Sequence, residues 1–332
     1  MIYSNFQDIK LSSLGVGTMR LPLIEGSEKD TDIDVAQTEQ MFDYAIKNGI
    51  NYFDTAYAYH SGESENVTGK ILSKYPRDSF YLATKFPGYN INNMDKVEEI
   101  FEEQLKKCRV DYFDFYLFHN VCEKNVDYYL DEKYGILDYL LKQKENGRIK
   151  HLGFSAHGSL EVMKKFLNAY GKYMEFCQIQ LNYIDWTFQD AKAKVDLLNE
   201  LNIPIWVMEP LRGGKLASLS DENTEKLKAL RPNENIPSWA FRFLQSIPGV
   251  TVVLSGMSNL DQLKDNVHTY EENKPLNDAE FKAITDIAGG MLKANTLPCT
   301  ACRYCTSHCP KGIDIPRILE LYNEHSFTGG GF

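Results

Sequence analysis

A chain of 332 residues is long enough for one large α/β barrel or for two domains, and it can bury a sizeable core either way. Hydrophobic residues at 43% and charged ones at 25% are ordinary for a soluble globular protein, and no apolar run approaches the length needed to cross a bilayer. A net charge of −10 argues against general affinity for nucleic acid, which is bound mostly by neutralising phosphates with Lys and Arg. The N-terminal run MIYSNFQDIKLSSLG lacks the apolar segment of a signal peptide, so a cytoplasmic location with no membrane or nucleic-acid partner is expected. Seven cysteines in such a chain point to metal or free thiols rather than disulfides.

Along the chain, short apolar runs alternate with longer segments of helical period, the pattern of βα units around a parallel sheet. The expected strands are 14–19 (LGVGTM), 50–54 (INYFD), 80–85 (FYLATK), 113–119 (FDFYLFH), 151–155 (HLGFS), 177–181 (CQIQL), 204–208 (PIWVM) and 250–255 (VTVVLS). Helical stretches at 35–48, 95–107 and 135–147 carry apolar residues three and four apart, and Gly49 and Gly147 stand where C-terminal caps belong. Eight strands imply an α/β fold of the (β/α)8 barrel class. No repeat or long linker interrupts the rhythm, so 1–291 reads as one domain. At about 292 the composition shifts, LKANTLPCTACRY leads into a cysteine run, and a last short helix, IPRILELYNEH, follows.

Active sites of such barrels lie at the C-terminal ends of the strands. Asp54 closes the second expected strand, Lys85 the third and His119 the fourth, with Tyr59 five residues after Asp54. Tyrosine is a natural proton donor to a carbonyl oxygen, but an isolated phenol titrates near pH ~10 and is a poor acid at neutrality. Lys85 would lower that value, Asp54 would hold Lys85 charged, and His119 would orient the carbonyl. A hydride must come from a cofactor, because no side chain supplies one. Taken singly, each residue also has a plain reading as a core, rim or solvated side chain; the joint pattern is what points to chemistry.

The segment GINYFDTAYAYHSGESENVTGKIL resembles the aldo-keto reductase signature, with its D-T-A-x-x-Y core and following S-E-x-x-x-G-x-x-L. YLATKF and FYLFHN resemble that family's lysine and histidine strands, and LGVGTMRLP its opening strand and nicotinamide-facing loop. The resemblance implies an NAD(P)H-dependent enzyme that reduces a small-molecule aldehyde or ketone, with Asp54, Tyr59, Lys85 and His119 as the catalytic tetrad and Tyr59 as general acid. Tyr57 is the competing phenol. By the same resemblance Gly17, Thr18 and Met19 face the nicotinamide, and Ser155 and Gln178 bind its carboxamide. Met208 stands where the family stacks on the nicotinamide, Pro210, Leu211 and Arg212 (or Lys215) belong to the pyrophosphate loop 209–216, and Gly256, Ser258, Gln262, Asp265 and Asn266 hold the adenosine end. Three positions depart from better-known members: Ala156-His157 replaces an asparagine, Met208 an aromatic, and 256–262 lacks Lys and Arg. NADP(H) is expected, with NAD(H) also open. Trp186, Phe188 and Phe86 suggest an apolar pocket wall, which core packing explains equally well.

The tail reads Cys299-x2-Cys302-x2-Cys305-x3-Cys309-Pro310, the spacing of the bacterial ferredoxin run for an iron–sulfur cluster. Zinc is the rival, although zinc sites usually pair two separated knuckles around a longer loop. Cys309 is favoured to close a single [4Fe–4S] site, the alternative being a fourth thiolate from Cys108, Cys122 or Cys177. Residues 292–332 thus read as a ferredoxin-like segment, resembling a bacterial and archaeal branch that joins this barrel to such a tail. The cluster would pass electrons to or from a ferredoxin-like partner or simply pin the tail. A redox-sensing regulatory subunit is the reading from a different functional class.

Overall fold

Two antiparallel strands that sequence reading does not anticipate, β1 (Tyr3–Phe6) and β2 (Ile9–Ser12), open the chain. Eight parallel strands follow: β3 (Leu14–Gly17), β4 (Tyr52–Asp54), β5 (Tyr81–Phe86), β6 (Phe113–Val121), β7 (Ile149–Ala156), β8 (Phe176–Gln180), β9 (Ile205–Met208) and β10 (Val250–Ser255). They close into a barrel in chain order, with β10 hydrogen-bonded to β3. The computed structural model describes residues 1–297, 299, 304–307 and 309–328.

The eight strands correspond to the eight expected runs because a barrel strand is buried on both faces and so reads as nearly continuous apolar sequence. β6 is the clearest case, with Phe113 to His119 all buried. Alternate residues point inward, where Tyr52, Phe115, Leu117, Phe176, Trp206 and Leu254 fill the interior. Phe6 from the hairpin joins them, its ring 5.1 Å from Trp206 and 5.6 Å from Phe115. The hairpin therefore stops the N-terminal end of the barrel. Next to it, Glu175 accepts hydrogen bonds from Gln7 Nε2 (2.8 Å) and the Leu152 N–H (3.1 Å), and lies 2.9 Å from His151 Nδ1. What is left open is the C-terminal face.

Helices on the outside bury their apolar stripes against the strands. The helix Val35–Lys47 starts at Asp34, whose carboxylate accepts from Gln37 N, and the chain leaves it through Gly49 at φ +88°. Val97–Cys108 and Ile136–Glu145 occupy the other expected stretches. The helix Asp278–Asn295 runs across the composition shift at 292. Beyond it lie a short turn of helix, Tyr304–Ser307, and the helix Ile315–Thr328, which is tied back where Asn323 and Leu297 exchange hydrogen bonds of 2.7 and 2.9 Å. Among the described residues no helix is long and apolar enough to cross a membrane.

Candidate active site

Parallel register puts the ends of all eight strands on one rim. Gly17 pairs with Asp54, Lys85 with Leu117, Ser155 with Gln178, and Ser255 with Val16. Lys85 is fully buried and Asp54 nearly so. Lys85 Nζ donates to Asp54 Oδ1 at 2.6 Å and to the Thr55 carbonyl at 2.8 Å, and it sits 5.0 Å from the centre of the Tyr59 ring. The His119 ring packs edge-on to Tyr59 with centroids 6.1 Å apart. The four side chains expected together are together. Tyr57 is not among them, because its hydroxyl donates outward to Glu103 at 2.9 Å.

Their protonation follows from burial and charge. Burial disfavours the Lys85 ammonium, but Asp54 and Tyr59 more than offset it and raise its pKa, so the lysine is charged. Burial pushes the Tyr59 phenol above its ordinary value and Lys85 pulls it down, while Asp54 and Glu209 push it up. The net direction is upward, opposite to the lowering expected from the lysine alone. His119 is driven well below the ordinary histidine value by burial, then by Lys85 and His157, so it is a neutral imidazole. Its Nδ1 is buried without a hydrogen-bond partner, while Tyr129 Oη donates to its carbonyl at 2.7 Å. Tyr89 and His157 also present ring edges to it, at 5.2 and 6.4 Å.

A cleft of about 290 Å³ runs from Asp54 and Tyr59 to the start of the helix Leu260–Thr269. Gly17, Met19, Gln178, Met208, Pro210, Leu211, Gly256, Ser258, Gln262, Asp265 and Asn266 line it. Thr18, Ser155 and Arg212 do not. Thr18 Oγ1 donates to the Asp54 carbonyl (3.0 Å), Ser155 Oγ accepts the Asn120 N–H (2.8 Å), and Arg212 Nε lies 3.1 Å from both carboxylate oxygens of buried Asp185. Sequence reading missed Arg20 and Glu209, which face each other across the cleft at 3.4 Å; the expected Ser258 donates its Oγ–H to the Arg20 carbonyl at 3.0 Å. Glu209 and Arg212 sit at φ +56° and +46°, and Gly213 and Gly214 at +65° and +90°, so this loop is folded sharply back. None of Phe86, Trp186 and Phe188 lines the cleft, so the packing reading of these aromatics holds there; the Phe188 ring has the Arg212 guanidinium 5.4 Å from its centre. Phe86 is core, and Trp186 packs on Phe243 and Phe281 (centroids 5.7 and 6.4 Å).

Residues 13–288 match the model of the aldo/keto reductase family. The chain belongs to the aldo/keto reductase family. It is an oxidoreductase by that membership. An uncharacterized oxidoreductase of Bacillus subtilis, YqkF, is 24% identical over 83% of this chain and 92% of its own length. L-galactose dehydrogenase of Arabidopsis thaliana is 25% identical over 81% of this chain and 87% of its own length. Among solved structures, the thermostable aldo-keto reductase Tm1743 superposes with a TM-score of 0.70 at 19% identity, over 86% of this chain and 100% of that one. The holo form of the Bacillus halodurans aldo-keto reductase AKR11C1 gives 0.68 at 24% identity, over 86% and 95%. The likeness in fold covers the barrel.

The family match ends at residue 288, before the cysteine tail. Cys302 lies outside the described residues; Cys299 and Cys305 are exposed and Cys309 half-buried. Among the described residues no three His, Cys, Asp or Glu side chains are grouped to hold a metal. Cys309 Sγ accepts the Ile313 N–H at 3.4 Å, and the backbone N–H groups of Ile313, Lys311 and Gly312 favour its thiolate. Cys108 and Cys177 are enclosed in the core, whereas Cys122 is on the rim.

Proposed function

We propose that this aldo/keto reductase reduces an aldehyde or ketone with a nicotinamide dinucleotide, NADP(H) or NAD(H), and that Tyr59 is its general acid. The observation that carries the reading is a lysine-backed phenol, Tyr59, lining one end of a cleft that reaches to the start of the helix Leu260–Thr269, with the neutral His119 packed against that phenol. When bound, the dihydronicotinamide supplies the hydride. The residues present fit it: Gln178 Oε1 is buried on the cleft wall without a partner, suited to a carboxamide N–H, and Gly214, with nothing within 4 Å of where a Cβ would stand, leaves backbone open to phosphate.

The residues then divide the work. His119, being neutral, donates a hydrogen bond to the substrate carbonyl without bringing a charge. The carbonyl carbon gains the hydride pair and its oxygen takes the proton from Tyr59 Oη, leaving a phenolate that the Lys85 ammonium stabilises until solvent reprotonates it. Lys85 matters more in that state than before it, because burial that raises the phenol's pKa also makes an unpaired phenolate costly. Cytoplasmic action is part of the same proposal.

The tail is read as a [4Fe–4S] segment held by Cys299, Cys302, Cys305 and Cys309. Its spacing supports this, and so does the trio of backbone N–H groups around Cys309, which suit a thiolate bearing metal. Anaerobic purification followed by titration with NADPH and then NADH tests both parts. Intrinsic fluorescence should report saturable binding, and a panel of carbonyls should restore oxidised nucleotide. Tyr59→Phe should bind the nucleotide as well as wild type and lose about 10²–10⁴-fold in turnover. Absence of binding by either nucleotide would sink the reductase reading. Bleaching of iron–sulfur absorbance on nucleotide addition would favour electron exchange with a ferredoxin-like partner, and an unchanged cluster would favour a structural staple.

A further inference from the structure

His60 follows Tyr59 directly and is 4% exposed. Its backbone is left-handed at φ +51°, as is that of Ser61 at +53°, a conformation that side chains with a Cβ rarely adopt. Both ring nitrogens are used, and both on the excursion between β3 and the helix Val35–Lys47. Nε2 accepts the Leu21 N–H at 3.0 Å, and Nδ1 lies 2.8 Å from the Asp30 carbonyl oxygen. An acceptor at Nε2 and a donor at Nδ1 define one tautomer of the neutral ring. That excursion is folded on itself by the Leu23–Ile33 bridge and carries Met19 and Arg20, which line the cleft mouth. Leu21 is on its outgoing limb and Asp30 on its return, so one imidazole clamps both limbs to the segment bearing Tyr59.

We propose that His60 is a positioning residue: its neutral Nδ1–H imidazole holds the cleft-mouth excursion against the Tyr59 segment, so that dinucleotide affinity depends on this ring. The affinity part rests on the function proposed above. Chemistry at Tyr59 does not depend on it, since Lys85 and Asp54 fix that end independently. Asp30 Oδ1 also lies 3.2 Å from Nδ1, on the side of the ring that faces the returning limb.

The test compares wild type with His60→Gly, which relieves the left-handed backbone and removes both contacts, and His60→Asn, which tolerates that backbone but is too short to span both. Amide hydrogen exchange at Leu21, without nucleotide, should be faster in both variants by about tenfold, the equivalent of one lost hydrogen bond. NADPH should bind both variants about five- to twentyfold more weakly, with turnover at saturating NADPH within about twofold of wild type. Unchanged exchange at Leu21, or recovery of wild-type exchange in His60→Asn, would overturn the clamp. A wild type that binds no nucleotide would defeat the function reading and leave the clamp to be decided by exchange.

Discussion

Lys85 has no water to fall back on. Its ammonium is fully buried, and its partners are one oxygen of Asp54, one backbone carbonyl and the face of Tyr59. The second Asp54 oxygen, Oδ2, has no hydrogen-bond partner. Removing the cation alone would therefore leave a buried carboxylate uncompensated. Lys85→Met should destabilise the fold by about 3–5 kcal/mol and abolish turnover, as read by denaturant unfolding and a single-turnover assay. The double variant Asp54→Asn/Lys85→Met should recover part of that stability and none of the activity, because it removes the stranded charge without restoring support for a phenolate. If the single and double variants were equally destabilised, the loss would come from packing rather than from charge. The same residue explains how the site was readable: a lysine ending an apolar strand is conspicuous in sequence, whereas the pairing partners of Arg20 and Glu209 are not.

At the scale of elements, the hairpin is where sequence and structure part. β1 and β2 are four residues each, with only Phe6, Leu11 and Ser12 buried, so no alternation of useful length exists. The turn between them is Gln7-Asp8, with Gln7 at φ +52° and none of the glycines or asparagines that announce a two-residue hairpin turn. The barrel strands, buried on both faces, carried their own signal. Yet the hairpin does structural work, through Phe6 inside the barrel and through Glu175 beside it. Burial would raise the Glu175 carboxyl, but hydrogen bonds from His151, Lys144, Gln7 and the Leu152 N–H outweigh it and hold the group at about 2, against an ordinary 4.5. A carboxyl depressed in the folded state contributes stability that is complete above its unfolded value and is lost as pH falls towards the folded one. Stability should therefore drop between about pH 4.5 and 2, by about 3 kcal/mol from this group alone. Glu175→Gln should lose most of that at neutral pH and show a flatter acid limb in urea unfolding monitored across that range. An acid limb as steep as wild type would assign the effect to other carboxylates.

Over the whole molecule, closure of the barrel creates what no local pattern holds. Arg20 and Glu209 are 189 positions apart and meet only because β9 and β3 flank β10. The tail raises the converse question, since its motif is legible in sequence while its role depends on what it touches. Its long helix is attached lightly: Asn323 bonds to Leu297, Arg317 feels the charge of Glu123 on the rim, and Ile318, Leu321 and Tyr322 stay exposed. The described tail residues bury little apolar surface, and metal binding commonly provides the missing folding energy in segments of that kind. The buried core cluster runs from Leu14 to Ala288 and includes no described tail residue. On the cluster and nucleotide readings proposed above, a chain ending at Thr296 should melt within a few degrees of the full-length protein, bind NADPH, and carry no iron or visible absorbance. Replacing Cys305 and Cys309 by Ser in the full chain should abolish iron and increase proteolysis after residue 296 while leaving the barrel's unfolding midpoint in place. Iron retained by the truncated chain would move the metal site out of the tail, and a large fall in the barrel's midpoint would make the tail part of the fold rather than an attachment to it.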